Sequence, residues 1–389
     1  MSELINTRSG NENFRRDLLI NVCALALMGF TGASSVAFAA ALDEDRPTVW
    51  IEIGGQLERV DTPQTAFAPP FFTLAQPKVL DAMVDAMRPS RYSIGGEGKI
   101  TFTPVAAADW VFAAAIRYGR SSNNRHKHYQ TAGLPTFTNI ISGGNNVVKP
   151  GFRQFGDGQS GFAESHAVLD FQVGKDVGLG LFGHNASSVV SAGVRFAQFT
   201  SSSSVVLHAR PILGYSPPIA SHSTFAGRQK YNKVIHGYHQ SYTALLHTRH
   251  STHAVGPSFS WDMSLPVAGN QDGMSIAFDW GVNGAVLFGR QRSHEDHQTT
   301  GYYLHFNGKV KTTRHYAHPN IAHDRSQSVT IPNAGGFAGL SLKFPSARFS
   351  MGYRGDFFLN ATDSGLDARD AARRNFYGPF ATFSIGLGG

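Results

Sequence analysis

Apolar and polar residues alternate one by one along much of this chain, and the segment 375–389 has the plainest pattern. Its apolar side chains are Tyr377, Ala381, Phe383, Ile385 and Leu387. The positions between them include Gly378, Thr382, Ser384, Gly386 and Gly388. Successive side chains of a β-strand point to opposite faces, so this period of two predicts a strand with one apolar face and one small, polar face. Such a strand must cover its apolar face with another sheet, a helix or lipid.

Nine other segments repeat this alternation, and the connections between them vary in length in a regular way. The segments are 49–58, 92–102, 110–118, 166–173, 190–196, 255–265, 275–288, 338–344 and 348–357. Long polar connections (61–89, 121–161, 198–250, 290–329) alternate with short ones (104–109, 175–187, 268–273, 345–346), and 360–374 is intermediate. Short turns at one end and long loops at the other are typical of outer-membrane barrels.

The pattern therefore predicts an all-β fold, a transmembrane antiparallel up-and-down β-barrel with short periplasmic turns and long extracellular loops. We expect ten strands, with twelve as the alternative, and both termini at the periplasmic end. The last strand should then pair antiparallel with 49–57. The segment 198–250 is predicted to be one long loop, whose bases extend the flanking strands or which contains an extra hairpin. Helical spacing in 78–88 predicts a short helix within a loop or over a pore.

The N-terminus has the pattern of an export signal. Arg15 and Arg16 precede an apolar run, 18–30, and Ala37-Phe38-Ala39 matches a cleavage site. We predict a signal peptide at 1–39, followed by an outer-membrane β-barrel domain at 40–389. An uncleaved N-terminal anchor is the alternative. The single cysteine, Cys23, lies in the signal segment, so the mature chain is predicted to have no disulfide and no cysteine metal site.

Composition agrees with a barrel but does not require one. Charged residues make up 16% of the chain, below the roughly 25% of ordinary soluble domains. The mean hydropathy of -0.19 is too low for a helical membrane protein. A large soluble β protein has a similar composition. Together with the export signal and the alternation, these values predict a protein of the Gram-negative cell surface, located in the outer membrane. The net charge of +7 suits anionic lipid or polysaccharide.

Charged residues recur on the polar face of the predicted strands and would point into the lumen. They are Glu52, Glu58, Glu97, Asp170, Asp262, Asp279 and Asp356 among the acids, and Lys99, Arg117, Arg195, Lys343, Arg348 and Arg354 among the bases. A ten-strand barrel is narrow, so these side chains are expected to bridge the lumen as a network of ion pairs. The alternative is a narrow polar path with an arginine-based preference for anions.

The sequence predicts no enzyme. Histidines cluster in the predicted loops, and the clusters are His126 with His128, His236 with His239, His247 with His250 and His253, and His294 with His297. Their spacing fits no standard ligand set, so solvated loop residues are the expectation and a surface metal site the alternative. The segment 178–183 matches GxGxxG but lies between barrel strands, which excludes a dinucleotide site. No catalytic, cofactor or metal residues are assigned.

Three short strings resemble the Legionella-type pore-forming major outer membrane protein family. They are Ala192-Gly193-Val194-Arg195-Phe196-Ala197, Val255-Gly256-Pro257 and Asn375-Phe376-Tyr377-Gly378-Pro379. The resemblance covers strands of the second half of the chain. It implies an outer-membrane barrel with a pore or surface role and supplies no catalytic residues. One departure is the end of the chain, Leu387-Gly388-Gly389, since many outer-membrane barrels end on an aromatic residue that the assembly machinery reads.

These patterns lead to a functional hypothesis. We expect a monomeric outer-membrane barrel with a structural or narrow, porin-like role. The alternative is a surface binding or adhesion module that acts through its extracellular loops, including metal binding by loop histidines. The expected partners are outer-membrane lipid and lipopolysaccharide, the barrel assembly machinery and surface ligands of the loops. No nucleic acid and no cofactor are expected.

Overall fold

The computed structural model describes residues 48–61, 92–107, 109–130, 155–178, 187–210, 212–216, 236–270, 273–307, 310–365 and 368–387. All of them belong to one compact unit, Arg46–Gly389. The predicted signal peptide, Cys23 and the predicted helix at 78–88 lie outside the described residues. Among those residues no helix is long and apolar enough to cross a bilayer. One turn of 3-10 helix occupies Val105–Ala107.

Eleven β-strands make up nearly all of the described chain. They are β1 (Val49–Asp61), β2 (Ser93–Phe102), β3 (Trp110–Gln130), β4 (Phe155–Asp176), β5 (Ser187–Arg210), β6 (Ile212–Ser216), β7 (His236–Gly269), β8 (Ser275–Asn307), β9 (Val310–Lys343), β10 (Ala347–Asp363) and β11 (Ala371–Leu387). Every pairing between them is antiparallel.

The strands close into a ten-strand barrel. Neighbours in sequence pair with each other around the ring, β1 pairs with β11, and β5 pairs with β7 past the short β6. β6 pairs only with β7, further along the same edge that β5 uses. The prediction of ten strands is confirmed. The predicted seam is also confirmed, because Ile51 opposes Ile385 and Ile53 opposes Phe383.

The exterior carries a band of exposed apolar side chains, in agreement with the alternation. On β10 the band runs from Phe349 through Met351, Tyr353 and Phe357 to Leu359, all at least 40% exposed. Ten residues span roughly 33 Å along a strand. At a tilt of roughly 45° this corresponds to roughly 23 Å along the barrel axis. That height matches the lipid-facing band of transmembrane barrels, which is about 25 Å tall.

Six neighbouring strands rise above this band on one side of the barrel. A continuous rung crosses β3, β4, β5, β7, β8 and β9 and consists of Ser121, Glu164, Ser201, His250, Ser293 and Arg325. We call the six strand segments beyond this rung the outer extension. β2 begins at Ser93, which lies at this level, and β10 ends at Asp363.

The outer extension corrects the predicted loop boundaries. The segments 121–161, 198–250 and 290–329 were expected to be loops, but β3, β4, β5, β7, β8 and β9 continue through large parts of them. In 290–329 the two strands are joined around residues 308–309, so that stretch is a long hairpin. Above the apolar band the outward side chains are mostly polar, and so are the inward ones of β8. The inward side chains of β5 and β7 include a buried apolar cluster, Val205, Leu207, Ala209, Ala244 and Leu246. The apolar–polar alternation fades there although the hydrogen-bonded ladder goes on.

Candidate functional site

A cavity of about 520 Å³ lies in the lumen, on the side of the barrel where the short turns and the strand ends lie. Trp50, Ser187 and Lys343 line it, and each stands at or next to the end of its strand. Eleven of the thirteen charged residues proposed for the lumen line this cavity, namely Glu52, Glu97, Lys99, Arg117, Asp170, Arg195, Asp262, Asp279, Lys343, Arg348 and Arg354. Glu58 and Asp356 are also buried in the lumen, further from that end.

Ion pairs hold most of these charges. Arg195 donates to both carboxylate oxygens of Asp170, at 2.6 and 3.0 Å, and the two residues face each other across β4 and β5. Arg117 pairs with Asp356, Arg348 with Asp279, and Arg354 with Glu97. A bidentate or cross-lumen pair compensates the desolvation that each ion would otherwise suffer in a narrow barrel.

Arg354 is also held by two aromatic rings. Its guanidinium lies 4.6 Å from the ring centroid of Phe380 and 5.8 Å from that of Phe337. Contacts of this kind are attractive because the face of an aromatic ring is negative. Phe380 belongs to the strand face that the sequence pattern described as small and polar, so that expectation is wrong at this position.

Four charges near the mouth of the cavity form no close ion pair with another described residue, although Lys99 attracts Asp262 and Asp279 attracts Lys343. Glu52 accepts a hydrogen bond of 2.9 Å from the hydroxyl of Ser384, and Lys343 donates one of 2.5 Å to Ser264. Lys99 and Asp262 form no hydrogen bond with a described side chain. The mouth thus offers two cations and two acids to a solute, a mixed set without a strong preference for one sign.

Above the cavity a cluster of apolar side chains packs inside the lumen. This apolar layer comprises Val60, Val168, Ala197, Phe199, Ala254, Ala285, Leu287, Val329, Ile331, Phe358, Ala361 and Phe376, all buried. Its centre is a trio of phenylalanines. The ring centroid of Phe199 lies 4.9 Å from that of Phe358 and 6.0 Å from that of Phe376. These contacts pack aromatic rings against each other inside the lumen at this level.

The sequence interpretation missed the apolar layer. The information was present in the parity of the residues, because Phe199, Phe358 and Phe376 occupy the same alternate positions as the lumen charges of their strands. A rule that assigns polar residues to the lumen and apolar residues to the lipid overlooks apolar residues at inward-facing positions.

A second polar layer lies beyond the apolar one. Glu164 and Arg374 form an ion pair of 2.6 Å in which both side chains are 1% exposed. Arg325 bridges Glu295 and Asp363 at 2.7 and 3.0 Å. Its guanidinium also donates to the backbone carbonyl of Gly365 at 2.6 Å and so fastens the β10–β11 connection to β9.

His250 belongs to this outer polar layer. Burial is the main cause that lowers its pKa from 6.5 to about 4, and Arg374 and Arg325 act in the same direction against the attraction of Asp363. Buried polar atoms without a hydrogen-bond partner in the described structure cluster here, among them Nδ1 of His250, Oε2 of Glu295 and Nε2 of Gln291. Groups of this kind are usually satisfied by internal water.

The histidines do not share one environment. His126 and His294 are exposed and lie 2.6 Å from Asp157 and Asp324. His250 is buried, so the expectation of a solvated loop residue is wrong for it. His166 is buried as well, and its ring centroid lies 3.9 Å from that of Phe376 with the two ring planes tilted by 36°. Within the described ranges no group of three or more histidine, cysteine or acidic side chains could hold a metal ion.

Only Gly178 of the glycine motif at 178–183 is described. It follows β4 with a φ of 56°, and its N–H donates to Asp176 at 3.0 Å. A positive φ is where glycine is favoured, so the residue serves a turn.

Comparisons with known proteins leave the family open. No model of a protein family matches the chain, and no curated protein matches it. The resemblance to the Legionella-type family therefore stays a prediction. One solved structure is titled "TodX deltaS2S3 mutant monoaromatic hydrocarbon channel". It aligns with 88% of this chain and 91% of its own, at 9% identity and a TM-score of 0.21. A TM-score of this size does not establish a shared architecture.

Proposed function

We propose that this protein is an integral outer-membrane β-barrel with a structural role, that its lumen is closed to solutes, and that it holds the outer extension at the cell surface. The apolar layer carries this proposal, because it lies between the cavity and the outer polar layer. The exposed apolar band supports a lipid environment, since a soluble barrel would have no reason to expose that many large apolar side chains. The proposal includes no catalytic step and no cofactor.

Conductance of purified, folded protein in planar lipid bilayers tests the closed lumen. We expect no discrete openings from the native chain. The variant F199A/F358A/F376A should conduct, because it removes the trio at the centre of the apolar layer. The matched control F196A/F278A/F357A removes three phenylalanines that face outward, and it should stay closed.

Folding must be checked in parallel, since each buried Phe→Ala change costs about 3–5 kcal/mol. Heat-modifiable gel mobility reports the folded barrel, and the single variant Phe358→Ala replaces the triple variant if the latter does not fold. Discrete conductance from the native chain would overturn the closed lumen. It would favour the narrow polar path that the sequence offered as the alternative, and the selectivity of that path would be measured from reversal potentials.

The outer extension favours a second candidate function, a surface module that binds ligands. Six strands of up to 34 residues rise past the apolar band, which is more than a membrane anchor needs. Deleting the predicted loop 198–250 is not a clean test of this function, because β5 and β7 pass through it and the deletion would remove parts of the barrel wall. Replacing 303–314 by an Asn-Gly turn shortens the β8–β9 hairpin of the outer extension and leaves the barrel wall intact. The turn can close there because Tyr302 and His315 already face each other in the ladder.

For a binding module, we expect this shortened hairpin to lose attachment of whole cells to immobilised polysaccharide while the barrel remains folded. A purely structural barrel would keep the attachment of the native protein. Equal heat-modifiable mobility of the two proteins establishes that the barrel is intact.

A further inference from the structure

A compact group of cationic side chains lies on the outside of β7 and β8, directly above the apolar band. The last outward apolar residues of these strands are Val255 and Phe288, which face each other in the ladder. The next outward pair is His253 with Arg290, and the one after it is Ser251 with Arg292. Arg249 follows opposite His294. We call His253, Arg249, Arg290 and Arg292 the basic patch.

All four side chains of the basic patch are exposed. Outward residues two apart on one strand lie roughly 7 Å from each other, and directly opposed residues have Cβ atoms roughly 5 Å apart. Arg290, Arg292 and Arg249 therefore stand on three successive outward rungs, each about 7 Å from the next along the strands. Burial is the main cause that lowers the pKa of His253, and the charge of Arg292 lowers it further, which places these two side chains near each other.

The outward side chains that flank the basic patch on β5 and β9 are uncharged in the two rungs closest to the apolar band. In the two rungs next to the apolar band, the outward partners on β9 are Ser328 and Ser326, and those on β5 are Gln198 and Thr200. The hydroxyl of Ser326 accepts a hydrogen bond of 2.8 Å from Nε of Arg290 and so orients that guanidinium.

The nearest outward acids stand further from the membrane. Asp324 is in the third rung, where it already pairs with His294, and Asp296 is in the fourth. The excess of positive charge is therefore greatest where the exterior turns from apolar to polar.

The geometry points to a binding site for phosphate groups of lipopolysaccharide in the outer leaflet. Guanidiniums bind phosphate through paired, charge-assisted hydrogen bonds, and the flanking hydroxyl and amide groups add neutral donors. The acyl chains of the same lipid would lie along Val255, Val286 and Phe288 below. The inference rests on the proposed outer-membrane location and adds a specific ligand and site to it.

Native mass spectrometry of the purified full chain with bis-phosphorylated lipid A tests the site. The variant R249Q/R290Q/R292Q removes three charges and keeps a polar side chain at each position. From the bound fractions we expect the variant to bind lipid A at least about tenfold more weakly than the native chain, because it loses the charge-assisted hydrogen bonds to phosphate. The control Arg120→Gln removes an exposed, outward arginine on β3, away from the basic patch, and should change the affinity less than about twofold by comparison.

Two further binding measurements distinguish a phosphorylated lipid from a free phosphate ion as the ligand. Lipid A without phosphates should bind the native chain as weakly as the triple variant binds the phosphorylated form. Inorganic phosphate alone should not compete at equal concentration, because it lacks the acyl chains. Competition by inorganic phosphate would overturn the lipid assignment and leave an anion site.

Failure of this inference is distinguishable from failure of the proposed function. If the triple variant is folded, sediments with outer membranes and binds lipid A as the native chain does, the basic patch is not the site while the outer-membrane location stands. If the native chain itself does not sediment with outer membranes, the proposed function fails first.

Discussion

At the scale of single residues, His250 is the clearest source of pH sensitivity. Its pKa of about 4 in the folded barrel lies below the ordinary value of 6.5. Above pH 6.5 the imidazole is neutral in both the folded and the unfolded chain and has no effect. Between pH 6.5 and 4 the unfolded chain binds a proton that the folded chain does not, so stability falls as the pH falls.

We therefore predict that the free energy of unfolding decreases by up to about 3 kcal/mol over this window because of His250 alone. Urea unfolding in detergent micelles at a series of pH values measures it, with the native chain compared to His250→Gln. The variant should have a flatter profile. Equal slopes for the native chain and His250→Gln would contradict the assignment.

Individual residues also mark where sequence reasoning stops. The inward position of Arg195 follows from strand parity, and its cross-strand partner Asp170 could be named once the register was known. The ion pair between Arg354 and Glu97 could not be foreseen, because it depends on which non-adjacent strands approach each other in the lumen. The alternation in a sequence shows whether a side chain faces the lumen or the outside. It does not show how far along the barrel axis the residue lies relative to a strand 257 positions away.

At the scale of elements, the seam between β1 and β11 depends on a close approach of backbones. A Cβ atom added to Gly378 would overlap the carbonyl oxygen of Leu57, and one added to Gly54 would lie 2.5 Å from the carbonyl oxygen of Ala381. The side chain of Gln56 also donates to the backbone carbonyl of Gly378, at 3.3 Å. These strands have no space for a larger residue at either position.

We predict that Gly378→Ala destabilises the barrel by roughly 1–3 kcal/mol, since the strands must separate to admit the methyl group. The temperature at which the gel mobility of the folded barrel changes should fall. Gly96→Ala on β2 is the matched control, because a Cβ atom there meets nothing within 4 Å. A seam that tolerates both changes equally would show that the two strands can shift apart at little cost.

The sequence predicts the strands where their outer face contacts lipid, because apolar and polar residues alternate there. It does not predict their continuation in the outer extension, where the outer face contacts water. The alternation located all ten strands of the ring in their membrane-facing parts. It failed in 290–329, because Arg292, His294 and Asp296 on the outer face alternate with Ser293 and Glu295 on the inner face, and both sets are polar. The strands continue there through backbone hydrogen bonds, which leave little trace in side-chain polarity.

At the scale of the whole molecule, the number of strands and the closure were predictable, and the contents of the lumen were predictable only in part. The expected network of ion pairs among lumen charges has counterparts in the structure, such as Arg348 with Asp279. The apolar layer changes the functional hypothesis, because it favours a closed barrel over a porin-like path. The conductance of the trio variant is thus the measurement that matters most for the molecule as a unit.

The ion pairs of the lumen have a consequence for the order of folding. They join residues 239, 257 and 210 positions apart in the chain, in Arg117–Asp356, Arg354–Glu97 and Arg374–Glu164. Contacts between such distant residues form late, because long stretches of chain must be ordered before the partners meet. The seam itself joins the first described strand to the last. Until that seam forms, the lumen charges remain hydrated, so the last stage of assembly must expel water and pair ions at the same time.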